Sequence, residues 1–201
     1  YVEQMYSWPT VMAKYQQLAE GNLKLPVGKR KIAFVVQRCG EDVNGGAEYH
    51  CFKLAQKLGE TWDIEILTTT ALDYMTWKNH FPKGVESKGN ISIRRFRVDR
   101  ERNIKRFNAL SDQLNSKISE VLLSEQNHWM IEQGPVSSGL TDFVASNADE
   151  YDYFFFFGYL YATTWFNLPL VYNKAVLLPL AHDEWTIYLP HWQDFFKKPC
   201  H

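Results

Sequence analysis

The chain has 201 residues, of which 45% are hydrophobic and 22% are charged, and its formal net charge is -1. This length suffices for one domain with a full core, with or without a terminal appendage, and the composition is that of an ordinary globular protein. The near-neutral charge gives no general reason to expect a nucleic-acid partner. The three cysteines are widely spaced and form no C-x-x-C motif, which indicates neither a disulfide framework nor a zinc site and favours a reducing compartment.

Residues 1–29 are predicted to be a helical segment that leads into the main domain. Pro9 precedes a helical pattern of apolar residues that ends near Gly21. The sequence opens with Tyr1 rather than Met and shows no secretory signal, so we expect it to be part of a longer cytoplasmic protein. Residues 30–201 are expected to form one Rossmann-like domain.

The clearest local pattern is a strand, a glycine-rich turn and a helix. Five apolar residues in a row, 32–36, predict a strand that is buried on both faces, as in a parallel sheet. A loop ending in Asn44, Gly45 and Gly46 follows, and apolar residues then recur with helical spacing from Ala47 to Leu58.

The start of this helix is a candidate anion site. Its unpaired N–H groups and the positive end of the helix dipole favour a negative ligand, and glycine at 45 and 46 lacks the Cβ that would hold a phosphate away from the backbone. The motif is neither the dinucleotide G-x-G-x-x-G nor a P-loop. A tight turn with good helix-start chemistry and no ligand, in which Glu48 favours the dipole, is the alternative.

The next part of the chain predicts two further strands and a long helix. Ile64–Thr69 is a second strand, and residues 79–90, with Pro and two Gly, read as a long loop. Ile91–Val98 is a third strand, in which Arg94-Arg95 interrupts the alternation and predicts a bulge or an edge. Apolar residues at helical spacing over 107–122 predict one long amphipathic helix.

Helix and strand alternate in the last third as well. Gly134-Pro135 is expected to end a helical stretch, and Ser137 or Ser138 can cap the next helix. Tyr153–Phe157 is predicted to be a fully buried fourth strand, followed by a short helix over 159–166.

The segment 153–173 carries no charge and imitates a membrane span. Interspersed glycine, threonine, asparagine, proline and tyrosine residues dilute its hydrophobicity, so a buried strand followed by a buried helix explains it better. Residues 175–180 are then predicted to form a fifth strand. Residues 185–190 are expected to be a loop, and residues 191–198 a short terminal helix.

The alternation of strands and helices predicts an α/β fold: an open, mostly parallel, Rossmann-like sheet flanked by helices. Ligands of such sheets bind at the carboxyl ends of the strands. Those ends collect the polar and glycine residues of 44–46, 68–73, 158–161 and 182–183. The sequence therefore predicts a site at this edge of the sheet.

His182, at the predicted end of the fifth strand, is the candidate reactive side chain. It could act as a general base, as a hydrogen-bond donor or as a metal ligand, or it could be structural. A metal site at His182-Asp183-Glu184 lacks a partner His or Cys at ligand spacing, so no metal is expected.

Other residues near the predicted crevice have two interpretations. Asp73 and Tyr74, with Trp77, follow the second strand and would either line an acceptor pocket or belong to a packed loop. Tyr159 and Tyr161 are either core residues or part of the crevice wall.

A basic stretch between residues 94 and 106 could meet an anionic surface such as lipid, polysaccharide or nucleic acid. Acidic residues interrupt it, and a solvated face is the commoner explanation. Its members are Arg94, Arg95, Arg97, Arg100, Arg102, Lys105 and Arg106.

Four stretches together resemble the N-terminal domain of family-4, GT-B-fold glycosyltransferases, in a bacterial branch. These stretches are K-I-A-F-V-V-Q-R-x-G-E-x-V-N-G-G-A-E at 31–48, T-T-T-A-L-D-Y-M-T-W-K-N at 68–79, F-F-F-F-G-Y-L-Y at 154–161 and P-L-A-H-D at 179–183. The G-G-A-E motif is only moderately specific, whereas the four stretches in this order are much more so. The likeness spans residues 30 to 198.

The resemblance implies a retaining hexosyltransferase that moves a sugar from a nucleotide-sugar donor to a glycan or lipid-linked acceptor, without a separate cofactor. Gly45 and Gly46 would face the donor diphosphate, and His182 would position the transferred sugar and stabilise charge. Since the N-terminal half of such enzymes generally binds the acceptor, the resemblance extends this role to Asp73, Tyr74, Tyr159, Tyr161 and Asp183.

The resemblance also implies partners. A second, C-terminal domain grips the nucleotide in this family, and its glutamate pair is missing here, because no glutamate follows Glu184. The 201 residues alone are thus expected to bind donor weakly and to turn over little. The expected location is cytoplasmic, with peripheral contact at the inner face of the membrane through Arg94–Arg106.

Two other classes of protein remain as alternatives. One is a non-catalytic Rossmann-like binding module with a degenerate site. The other is an NAD-type oxidoreductase domain, which is disfavoured because the glycine spacing is wrong and the second strand ends in threonines rather than in an acid for the ribose.

Overall fold

The structure, a computed structural model, describes residues 30–199. The predicted N-terminal segment, 1–29, and Cys200 lie outside these residues. The strands are β1 (Lys31–Val35), β2 (Asp63–Thr69), β3 (Gly84–Lys88), β4 (Ile91–Phe96), β5 (Tyr153–Phe157) and β6 (Ala175–Leu178). The helices are α1 (Gly46–Leu58), α2 (Ile104–Asn115), α3 (Leu123–Gln133), α4 (Ser138–Asn147), α5 (Ala162–Trp165) and α6 (Trp192–Phe195). Short 3-10 turns cover Ile118–Glu120, Ala148–Glu150, Leu168–Leu170, Tyr172–Lys174 and Trp185–Tyr188.

The strands form one six-stranded sheet in the order β3-β4-β2-β1-β5-β6. All neighbouring pairs are parallel except β3 and β4, which are antiparallel. The central position of β1 follows from its sequence, because a strand of continuous apolar residues is stable only where helices cover both faces of the sheet. The predicted α/β class with a mostly parallel, Rossmann-like sheet is confirmed.

The helix α1 covers one face of the sheet. Its buried residues include Cys51, Leu54, Ala55 and Leu58, which recur at the spacing of a single helix face. Beneath it, aromatic side chains of β1 and β5 alternate toward this face; the ring centroids of Phe34 and Phe155 are 5.2 Å apart.

The other face carries the larger core, which α2, α3, α4 and the C-terminal turns cover. Phe154 and Phe156 of β5 point into it, opposite to Phe155, as the period of two in a strand requires. They pack in one cluster with Trp129 of α3 and Leu140 of α4. The uncharged segment 153–173 is therefore a buried strand followed by short helical turns, as predicted.

The predicted loop over residues 79–90 contains a strand, so that prediction was wrong. β3 pairs antiparallel with β4, with Glu86 opposite Ile93. Four of its five residues are exposed, and no apolar alternation marks it in the sequence. Its stability depends on the open edge of β4, which the local sequence does not show.

The predicted bulge or edge at Arg94-Arg95 is also wrong. β4 is paired on both sides, with β2 and β3, and both registers run through these arginines without interruption. Arg95 is buried because its Nη1 lies 2.6 Å from a carboxylate oxygen of Glu86 and its guanidinium stacks on Phe81. Arg94 pairs with Glu65 at 2.8 Å.

The single long helix predicted over 107–122 is wrong in its second half, where a separate 3-10 turn, Ile118–Glu120, replaces it. α2 ends at Asn115, and α3 begins at Leu123, where the Glu125 carboxylate accepts the N–H of Leu122 at 3.0 Å. Leu122 fits the apolar spacing but is 63% exposed, so it does not belong to the buried face. Folding back lets α3 place Trp129 against Phe107 of α2, with ring centroids 5.6 Å apart.

The helix boundaries near residue 134 agree with the sequence. α3 ends at Gln133, immediately before Gly134-Pro135. Ser137 is the N-cap of α4, and its hydroxyl accepts the N–H of Leu140 at 3.3 Å.

Candidate functional site

The candidate site lies where the order of the strands reverses. From β1 the chain adds β2 and then β4 on one side, and it returns to the other side of β1 only with β5. In open α/β sheets, ligands bind outside the carboxyl ends of the strands at such a switch point. The loops that follow β1, β5 and β6 meet there around a cleft of about 410 Å³, which we call the main cleft.

The main cleft brings together residues that are far apart in the sequence. Its wall includes residues 44–48 at the start of α1 and residues 158–161 after β5. After β6 it includes Pro179, Leu180, His182 and Glu184. Gly45, Gly46 and His182 therefore border the same cavity, which is what a donor site built from these three residues requires.

The two glycines at the start of α1 differ in the space that a side chain would have. A Cβ at Gly46 would meet no atom within 4 Å, so this position opens onto free space. A Cβ at Gly45 would lie 2.1 Å from a carboxylate oxygen of Glu48. Only Gly46 thus leaves room that a ligand could use, whereas Gly45 leaves room for Glu48.

A buried ion pair holds the loop before α1. Arg38 Nη2 lies 2.6 Å from Glu48 Oε1, and both side chains are buried. The same guanidinium donates to the carbonyl oxygens of Leu72, at 2.6 Å, and Asn44, at 3.1 Å. Arg38 therefore ties the loop after β1 to the loop after β2, and it neutralises the one carboxylate at the helix start.

His182 projects from the loop after β6. It is exposed, and its imidazole makes no hydrogen bond with any residue of the described range 30–199. Its carbonyl accepts the N–H of Glu184 at 3.0 Å, which fixes the turn. Two residues earlier, Leu180 has a φ of 49°. This left-handed conformation is unfavourable in free energy for a leucine.

Tyr159 and Tyr161 have different places in the wall. Tyr159 is buried, and its hydroxyl lies 2.9 Å from Glu184 Oε1 and 2.9 Å from the hydroxyl of Thr186. Burial raises the pKa of this phenol. Tyr161 is half-buried with its ring against Trp77, at 5.8 Å between centroids, and burial raises its pKa as well.

The other predicted acceptor residues are only partly at the cleft. Tyr74 is 53% exposed and lines it, with the Arg38 guanidinium 5.7 Å from its ring. Asp73 is not in the wall; its carboxylate accepts the N–H and the hydroxyl of Thr76, each at 2.7 Å, and closes a turn. Asp183 is not in the wall either and accepts the Tyr188 hydroxyl at 2.7 Å.

A second cavity adjoins the main cleft. This side groove, of about 500 Å³, shares Tyr74, Leu160, Tyr161 and Glu184 with the main cleft. Its remaining wall comes from Arg102, α2, α3 and the turn at 185–186. The two cavities are thus neighbouring parts of one depression at the carboxyl edge of the sheet.

Most side chains of the basic stretch have partners within the chain. Besides the pairs of Arg94 and Arg95, Arg100 Nη2 and Arg106 Nη2 lie 2.9 Å and 3.1 Å from an oxygen of the buried Glu132. Arg102 Nε donates to the carbonyl oxygen of Gln133 at 2.9 Å. These charges stabilise contacts inside the domain, and contact with a membrane through them stays a prediction.

Within residues 30–199, no cluster of three or more His, Cys, Asp or Glu side chains is arranged to hold a metal ion. None of the helices in this range combines the length and the apolar character needed to cross a bilayer. Comparison with protein-family models, with curated proteins and with solved structures finds no match.

Sequence reasoning missed two residues that shape the site. Arg38 lies in the loop after β1, and a basic residue ten positions before an acid in the first turn of a helix was a signal for their pairing. Glu184 lines the main cleft, whereas the sequence predicted a role for its neighbour Asp183. Which of two adjacent acids faces a cleft depends on the turn between them, and the sequence does not show that turn.

Proposed function

We propose that this chain is the N-terminal, acceptor-side domain of a retaining glycosyltransferase, which transfers a sugar from a nucleotide-sugar donor to a glycan or lipid-linked acceptor. The observation that carries the proposal is the meeting of Gly46 and His182 in one cleft at the switch point of the sheet. A sugar diphosphate needs both an anion site and a polar group one sugar ring away.

The start of α1 supplies the anion site. In this proposal the N–H groups of the first turn donate to the donor diphosphate, and they stabilise the charge that develops as the sugar leaves. Gly46 permits close approach because nothing occupies the space beside its Cα. Since Arg38 already pairs with Glu48, neither side chain adds a net charge that would repel the phosphates.

His182 contacts the transferred sugar. Its imidazole has no partner in the described chain, so it can donate to a sugar hydroxyl or to a diphosphate oxygen. The left-handed Leu180 and the carbonyl bond to Glu184 fix the loop that presents it. The nucleotide itself is bound by a second domain of the full-length protein.

The test is an assay of the full-length protein for donor hydrolysis and sugar transfer. His182→Ala and Gly46→Val are each expected to lower the rate at least about tenfold, roughly 1.4 kcal/mol in the barrier. His80→Ala, an exposed histidine outside the main cleft, is the matched control for the first variant. Gly139→Val is the control for the second, because Gly139 lies exposed in the first turn of α4.

Rates like those of the native protein for both cleft variants would refute the proposed roles. Equal losses in the variants and in their controls would point to damaged folding, so the midpoint of urea unfolding is measured for all four.

The second candidate is a non-catalytic binding module. The observation in its favour is Glu48, whose carboxylate fills the space beside Gly45 where the sequence predicted a phosphate. A full-length protein that binds no nucleotide sugar in calorimetry and hydrolyses none would favour this candidate.

A further inference from the structure

The side groove is built differently from the main cleft. The main cleft has a helix start and a histidine in its wall, whereas the side groove has aromatic rings, neutral or acidic side chains and Arg102. The two share Glu184, Tyr161 and Tyr74, so a molecule in one would touch a molecule in the other.

The aromatic side of the groove is held rigidly. Phe107 of α2 and Trp185 are half-buried, and the buried Trp129 lies behind both, with ring centroids 5.6 Å and 5.7 Å away. Trp129 is fixed by its indole N–H, which donates to the Ser111 hydroxyl at 2.8 Å. Rigid rings with little conformational freedom to lose are suited to stack against the C–H face of a sugar ring.

The polar side offers hydrogen-bond groups that the described chain does not use. Asn108 and Asp112 are exposed, and they lie four residues apart on α2, so they project from the same face. Neither side chain has a hydrogen-bond or ion-pair partner within residues 30–199. Glu184 accepts the Tyr159 hydroxyl through Oε1, while its Oε2 receives no donor from the described residues.

Among the described residues, the wall of the groove carries two carboxylates, Asp112 and Glu184, and one cation. Arg102 is the cationic residue in its wall, and its guanidinium is packed between the rings of Trp77 and Phe107, 4.7 Å from each. It donates through Nε and Nη2 to the carbonyl oxygen of Gln133. With Asp112 and Glu184 nearby, a phosphate group would meet more negative than available positive charge.

We propose that the side groove binds an uncharged sugar unit, stacked on Trp185 and flanked by Phe107, with its hydroxyls donating to Asp112 and to Glu184 Oε2. The inference rests on the proposed function in one respect, namely that this sugar is the acceptor. Glu184, which borders both cavities, then holds the acceptor hydroxyl nearest to the donor.

The test is direct binding by the 201-residue chain, measured by calorimetry and by saturation-transfer NMR. The probes are the neutral disaccharides maltose, cellobiose and lactose, and the contrasting probes are glucose 6-phosphate and glycerol phosphate. We expect at least one neutral disaccharide to bind saturably with a Kd of about 1–10 mM, and the phosphorylated probes to bind more weakly.

A double variant, Asn108→Ala with Asp112→Ala, is expected to weaken the disaccharide at least about tenfold. Asp142→Ala, which removes an exposed acid of α4 outside the groove, is the matched control and should leave binding within about twofold. Trp185→Ala tests the aromatic side, with its unfolding midpoint measured in parallel.

Several results would overturn the inference: no saturable binding of any neutral probe at about 20 mM, unchanged binding by the double variant, or tighter binding of a phosphorylated probe. Gly46→Val separates the two proposals, because it should lower donor-dependent transfer by the full-length protein at least about tenfold and leave disaccharide binding intact. Saccharide binding by a protein that shows no donor hydrolysis or transfer would support the sugar site in the side groove and refute the proposed transferase function.

Discussion

At the scale of single residues, the two adjacent glycines of the helix start are predicted to differ in their tolerance of alanine. Gly45→Ala would push a methyl group onto the Glu48 carboxylate and disturb the Arg38 pair, which should lower the free energy of unfolding by about 1–3 kcal/mol. Gly46→Ala meets open space and should be neutral or slightly stabilising, because alanine is the better helix former. Urea unfolding of both variants measures the difference, and equal effects would contradict the assignment of space around them.

The buried ion pair gives a second prediction. Arg38→Met leaves the Glu48 carboxylate buried without a partner and should cost about 3–5 kcal/mol of unfolding free energy. The double variant Arg38→Met with Glu48→Gln should be less destabilised than Arg38→Met alone, since it removes the unpaired charge as well. A double variant that is as unstable as the sum of the single variants would mean that the two side chains do not interact.

At the scale of elements, the start of α2 depends on a local cap. The side-chain oxygen of Asn103 accepts the N–H of Arg106 at 3.1 Å. Asn103→Ala should therefore cost about 1 kcal/mol of unfolding free energy. Asn108→Ala is the matched control on the same helix, because its exposed side chain has no partner in the described chain, and its effect should stay within about 0.5 kcal/mol.

The errors in predicting elements have a common cause. β3 is exposed over most of its length and is held by β4. Arg95 is buried because Glu86 of β3 and Phe81, in the loop before β3, contact it. α2 stops at Asn115 because turning back lets Trp129 bury its indole against Phe107. In each case a contact between separate elements outweighed the local pattern.

At the scale of the whole molecule, the buried titratable groups predict a loss of stability in alkali. Burial raises the pKa of the Cys39 thiol from 9.0 to about 12, and burial also raises the pKa of Cys51. Above pH 9 the unfolded chain releases these protons while the folded chain retains them. The stabilisation of the folded state by these protonated thiols is therefore complete below pH 9 and is lost as the pH rises toward 12.

The corresponding measurement is the free energy of unfolding from pH 7 to pH 11.5 in the native protein and in Cys39→Ala. Above pH 9 the native protein should lose about 1.4 kcal/mol per pH unit more than the variant. Between pH 7 and 8 the two slopes should be equal, because neither state releases the proton there. Parallel curves over the whole range would contradict a raised pKa of Cys39.

The sequence by itself determined the α/β class, the central buried strands and the position of a cleft at the carboxyl ends of these strands. Continuous apolar runs such as 32–36 and 153–157 have only one stable environment, between two layers of helices. They can therefore be predicted as buried strands without knowledge of their tertiary contacts. The turn at Asn44–Gly46 is equally local, since its unpaired N–H groups follow from the start of a helix.

Only the tertiary structure decided which side chains face the cleft and the groove. Arg38 with Glu48, Glu184 rather than Asp183, and the aromatic wall of the side groove depend on how loops from separate strands pack against one another. A local pattern specifies the period of an element and its buried face. The direction of a side chain in a loop depends on contacts with residues distant in the sequence. For that reason the sequence could locate the cleft but not the side chains that line it.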